Sequence, residues 1–139
     1  MSVRKNLQSE HRFTILDIIL KMYDHTATLI GNDKIFDRKY IVLINRIEAN
    51  ARLVYHYCRS ANEDYDNRKK DEAEIRLNLE DKAIECCKWL KTDIRLAQKI
   101  FHLRAKKVIY WNSLVNESLE AIKKWKASEK KLYKENHGL

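Results

Sequence analysis

The sequence predicts an all-α fold, an up-down-up-down four-helix bundle forming one domain over residues 1–139, and three observations lead to it. The chain has no proline and only two glycines, Gly31 and Gly138, so little in it can break a helix or shape a hairpin turn. Apolar residues make up 45% of the chain and charged residues 35%, a balance that suits amphipathic helices around one core better than a disordered segment. Apolar side chains also recur every three or four positions along four separate stretches.

The first stretch covers about residues 9–31 and is written by Phe13, Leu16, Leu20, Tyr23, Ala27 and Ile30. Ser9 or Asn6 is available as its N-cap, and Gly31 is its stop. The second, about 36–61, carries the clearest stripe, Phe36, Tyr40, Leu43, Ile47, Ala51, Val54 and Cys58, with Asp33 or Asp37 as cap. Residues 62–67 have no apolar period and are rich in Asn and Asp, so they read as the loop between halves. The third helix, about 69–101, runs through Ile75, Leu79, Ala83, Cys86, Leu90, Ile94, Ala97 and Phe101, with early acids and late bases that suit the helix dipole. The fourth, about 105–128, follows a turn near His102-Leu103-Arg104 and shows Val108, Trp111, Val115, Leu119 and Ile122. The lysine-rich end beyond it either extends this helix or frays into a tail. Four such helices with short connections close most economically as a bundle.

Composition narrows the function classes. The longest apolar runs, such as Tyr40 to Ile44, fall far short of the roughly 20 residues that span a bilayer, and no apolar segment follows Arg4 and Lys5 as a leader would require. A cytoplasmic protein without membrane attachment is expected. Cys58, Cys86 and Cys87 form no C-x-x-C pair and suit reduced thiols acting as small apolar residues. The net charge of +8 is unevenly spread: residues 1–94 hold 17 bases and 16 acids, residues 95–139 hold 11 and 4. Such an excess favours anionic partners, nucleic acid or an acidic protein surface.

At 100° per residue, Lys88, Lys91, Arg95, Lys99 and His102 fall in one band of the third helix, opposite Leu90, Ile94 and Ala97. Arg38, Arg52, His56 and Arg59 form a similar ridge on the second helix. Any amphipathic helix has a solvated face, but from Lys88 to Lys107 the one acid is Asp93, and a run of like charge repels itself unless an anion relieves it. Trp89, Leu96 and Leu103 stand at seven-residue intervals on the flank of the same helix, as a subunit interface or as the edge of a wide core stripe. Tyr55, Tyr57, Trp111 and Trp125 admit the same two readings, and base stacking as a third.

Enzyme chemistry finds little support. There is no Glu-x-x-His pair, His-Glu-x-x-His, glycine-rich phosphate loop or nucleophile elbow, so no catalytic, metal or cofactor site is expected. The best catalytic alternative is Arg95 with His102, whose Arg-x6-His spacing resembles the motif of helical HEPN-type ribonucleases. That resemblance implies His102 as general acid or base and Arg95 as stabiliser of a phosphorane.

Read together, Phe36-Asp37-Arg38-Lys39-Tyr40, Ile94-Arg95-Leu96-Ala97 and Ala121-Ile122-Lys123-Lys124-Trp125 resemble, in order and over roughly residues 9–128, the Avd-like four-helix-bundle proteins. These are the accessory variability determinants of diversity-generating retroelements, related to bundles encoded by intervening sequences of 23S ribosomal RNA genes. The resemblance implies a basic, barrel-shaped homopentamer that binds a reverse transcriptase and template RNA in support of mutagenic retrohoming; the charge alone leaves DNA as an alternative to RNA. The polymerase would do the chemistry. Arg38 and Arg95 are the positions carried over as contacts, and Arg52, Arg59, Lys88, Lys91 and Lys99 join them from the ridges.

Overall fold

A computed structural model describes the backbone of residues 3–138 and the side chains of residues 14–138. Four helices account for nearly all of it: α1 (Val3–Ile30), α2 (Ile41–Asp64), α3 (Lys70–Ile100) and α4 (Ala105–His137), with no strand among the described residues. Each helix packs on the next and α4 closes against α1. Cross-helix pairs show the alternation of direction. Asp81 meets Lys126 while Glu74 meets Tyr133, so α3 and α4 run antiparallel. Arg46 meets Asp93 while Arg76 reaches Ala61, which sets α2 against α3 in the same way. The fold is the all-α four-helix bundle the periodicity predicts.

The core is lined by Ile19, Met22, Ile47, Val54, Leu90, Ile94, Val115 and Ile122, all fully buried, around Trp111 and Phe36. Trp111 and Trp125 are thereby core residues, and the three cysteines are buried and unbridged. Burial raises the Cys58 thiol well above its ordinary range and pushes Cys87 up to about 12, so neither is a ready nucleophile.

Five boundaries or faces depart from the sequence reading. In α1 the buried face is Ile15, Ile19, Met22, Thr26 and Ile30, so the expected stripe is displaced by a residue and Leu20 is exposed. Thr26 disguised it: the hydroxyl donates to the Met22 carbonyl (2.8 Å) and accepts from the Trp111 indole N–H (2.9 Å), so a polar residue sits in the core fully satisfied. Ser9 and Asn6 lie inside α1 rather than capping it, and the side chain of Phe13 lies outside the described residues.

The second helix begins at Ile41, not Phe36. Phe36 instead stands in the connection, fully buried against Phe101 (ring centroids 4.5 Å) and Trp111, closing that end of the core. Asp37 caps the short 3-10 turn Arg38–Tyr40 by accepting from the Lys39 amide. At the other end α2 runs on to Asp64, which shortens the expected loop.

The lysine-rich end is helix: α4 continues to His137, nine residues past the expected end near 128, and stops where Gly138 takes φ 72°. Buried Glu129 and Tyr133 anchor the added turns. Glu129 accepts from the Arg76 Nε (2.8 Å) and Nη2, and Arg76 also donates to the carbonyls of Ala61 and Tyr65 at the end of α2. One guanidinium thus ties α2, α3 and α4 together, because it satisfies both a carboxylate and orphan helix-end carbonyls.

Candidate nucleic-acid interface

On α3 the steps from Lys88 to Lys91, Arg95 and Lys99 are three, four and four residues, which keeps them on one face; Leu90, Ile94 and Ala97 on the opposite side are fully buried. Lys88, Arg95 and Lys99 are exposed and Lys91 half-buried. Lys88, Lys91, Thr92 and Arg95 line one shallow depression of about 230 Å³. None of the four cations forms an ion pair among the described residues.

The one acid of the run is turned away from them. Asp93 is buried and accepts two hydrogen bonds of 2.8 Å from the Arg46 guanidinium of α2. The bidentate pair neutralises the carboxylate and, by burying it, withdraws it from the ridge. What remains outward from Lys88 to Lys99 is positive charge with no local compensation.

The α2 ridge is different. Arg52 pairs with Glu48 (3.1 Å) and Arg59 with Glu63 (2.8 Å), both one turn along the same helix. Their charge is partly spent before any partner arrives. Arg38 does not belong to that ridge at all, since it precedes the helix; its Nη2 donates to the Ile30 carbonyl (2.9 Å) and caps the end of α1. His56 is exposed on α2.

Of the three flank residues, Trp89 and Leu96 are about half exposed, at 51% and 43%, and adjoin the ridge. Leu103 does not join them. Helix α3 ends at Ile100, His102 adopts φ 54°, and the Leu103 amide reaches back to the Gln98 carbonyl (3.1 Å) in a Schellman turn. That turn folds Leu103 into the core, leaving it 8% exposed.

The same turn separates Arg95 from His102. His102 is off the helix and lines a cleft with Lys34, Arg104 and Lys107, whereas Arg95 belongs to the depression with Lys88 and Lys91. The shared helical face on which a ribonuclease pair depended is absent.

Sequence reasoning missed a charged cluster inside the bundle. Arg76, Glu80 and Glu129 are all buried, and neither oxygen of Glu80 meets a donor among the described residues. Burial, then the neighbouring Glu129 carboxylate, pushes Glu80 up to about 9. A protonated Glu80 can donate to Glu129, which two ionised carboxylates could not do. The signal was the register: residues 73, 76, 80, 83, 87, 90, 94 and 97 keep helical spacing, and all are buried, charged or not. No cluster of His, Cys, Asp and Glu able to hold a metal ion occurs among the described residues, and no described helix is long and apolar enough to cross a membrane.

Compared with known protein families, with curated proteins and with solved structures, the chain matches none.

Proposed function

We propose that this protein is a nucleic-acid-binding scaffold, an accessory bundle of the Avd-like kind that holds template RNA and a reverse transcriptase together in the cytoplasm while the polymerase performs the chemistry. The observation that carries the reading is the unpaired basic face of α3, Lys88, Lys91, Arg95 and Lys99, within which the one acid, Asp93, is buried on Arg46. Four like charges kept together without counter-charge favour a partner that supplies phosphates at a similar spacing. Arg52 and Arg59 stand in reserve, since surface pairs along a helix are weak enough to be exchanged for phosphate contacts. Arg38, engaged at the end of α1, contributes less.

Half-exposed Trp89 and Leu96 support self-association, which the resemblance takes to a homopentamer. A ring of such subunits repeats the α3 face and multiplies the avidity for one long RNA. Light scattering in solution tests this part: a pentamer's mass supports it, a monomer's contradicts it.

The binding claim is tested by Arg95→Glu with Lys99→Glu. RNA retention is lost at moderate salt while helicity by circular dichroism is kept. Retention equal to that of the unmodified chain overturns the assignment.

A further inference from the structure

Where α3 turns into α4, two clefts adjoin at the end of the bundle. One, of about 420 Å³, carries the cations Lys34, Arg104 and Lys107 beside His102, over a floor of Ile35, Phe101 and Leu103. The other, of about 350 Å³, is lined by His25, Leu29, Lys106 and Tyr110 and shares Arg104 and Lys107 with the first. Tyr110 is 49% exposed, and a perpendicular contact with His25 at 5.0 Å fixes its ring. Burial holds the His25 imidazole below its ordinary pKa, so at neutral pH it is an uncharged wall.

Lys34, Arg104, Lys106 and Lys107 form no ion pair among the described residues. Three of them crowd the start of α4, whose first turn contains no acid and whose N-cap, Arg104, makes no side-chain capping bond. Cations at that end of a helix oppose its dipole, so the arrangement costs stability until an anion arrives. The anion is only half of what the clefts ask for. Arg104 and Lys107 line both clefts, so the cations of the first adjoin the aromatic Tyr110 and His25 of the second. The ligand that matches both joins a flat ring to a phosphate over one short linker.

We propose that this end of the bundle binds an unpaired nucleotide of a single-stranded nucleic acid, its base against Tyr110 and its phosphate between Arg104, Lys107 and Lys34. A duplex satisfies only the cationic half, because its bases are stacked inside, whereas a free strand can present a base to an aromatic ring. The inference rests on the reading of the chain as a nucleic-acid binder, and it adds a preference for single strands that the α3 face does not provide.

The test is fluorescence anisotropy with a labelled single-stranded RNA of about 12 nucleotides, the same RNA annealed to its complement, and AMP as competitor. Tyr110→Ala lowers single-strand affinity by about tenfold and leaves duplex affinity within about twofold, while Tyr110→Phe keeps both. Arg104→Glu with Lys107→Glu weakens the single strand at least as much. Displacement of the strand by AMP from the unmodified chain shows that a free nucleotide suffices; no displacement, with Tyr110 dependence intact, assigns the site to strands. Single-strand binding indifferent to Tyr110→Ala, or an equal loss for duplex and single strand, overturns the proposal. Lys91→Glu with Arg95→Glu separates the two readings: if it abolishes duplex binding while Tyr110→Ala changes nothing, the α3 face stands and this site falls. If the unmodified chain binds no RNA, both fall.

Discussion

Replacing Glu80 by glutamine removes the one carboxyl that, among the described residues, is buried without a donor, and the consequence is a change in how stability depends on pH. Glu80 is raised from an ordinary 4.5 to about 9 in the folded chain, chiefly by burial. Its folded form therefore holds a proton that the unfolded chain has already released. The associated stability is fully present below about pH 4.5 and is lost as pH rises towards 9. One proton corresponds to about 1.4 kcal/mol per pH unit, so the native chain loses about 4 kcal/mol between pH 5 and pH 8 through this group. Glutamine has nearly the same shape, does not titrate, and can still donate to Glu129. At pH 7 Glu80→Gln is accordingly more stable than the native chain by about 3 kcal/mol, and at pH 4.5 the two are nearly equal. Urea denaturation followed by circular dichroism at pH 5, 6, 7 and 8 reads this directly. Parallel stability profiles for the two chains would refute the reasoning, since they would mean that Glu80 gives up its proton at the same pH folded and unfolded.

Three further substitutions probe the fold. Thr26→Val strands the buried indole N–H of Trp111 and costs about 1–3 kcal/mol, seen as a lower urea midpoint at unchanged slope; an unchanged midpoint means the hydrogen bond contributes nothing. Truncation after Ser128 removes Glu129 and Tyr133 and leaves the Arg76 guanidinium buried without its carboxylate, a loss of about 3–5 kcal/mol. A truncated chain that melts at the native temperature would show the last turns of α4 to be dispensable. His102→Gly relieves the left-handed backbone at φ 54° and raises stability by about 0.5 kcal/mol; a fall would show that the imidazole, not the turn, matters at that position.

Much of this architecture was legible because period and composition report on packing. Leu90, Ile94 and Ala97 on α3 and Val108, Trp111, Val115, Leu119 and Ile122 on α4 read as core and are core. Reading failed wherever a polar group was satisfied inside. Thr26 is polar and so stands outside any apolar stripe, yet its two hydrogen bonds let it sit in the buried α1 face. Arg76 and Glu129 belong to no apolar stripe, and pairing across 53 residues carries both inward. Phe36 and Leu103 kept helical spacing with their neighbours but belong to connections, because turn hydrogen bonds, invisible in a period, redirect them. The basic ridge of α3 was visible as a run of charge. That it is unpaired, and that the α2 ridge is paired, depended on where Asp93, Glu48 and Glu63 turn in three dimensions.

The central claim is that the α3 face meets phosphates, and the salt dependence of RNA binding addresses it most directly. Affinity for a duplex measured over a range of salt falls along a line whose steepness counts phosphate contacts, about 0.9 per contact. The variant Lys88→Gln, Lys91→Gln, Arg95→Gln keeps the helix and removes three unpaired cations. Its line is less steep than that of the native chain by about 2.7. Lines of equal steepness would contradict the account, because phosphate would then be held somewhere other than the face left bare by the burial of Asp93.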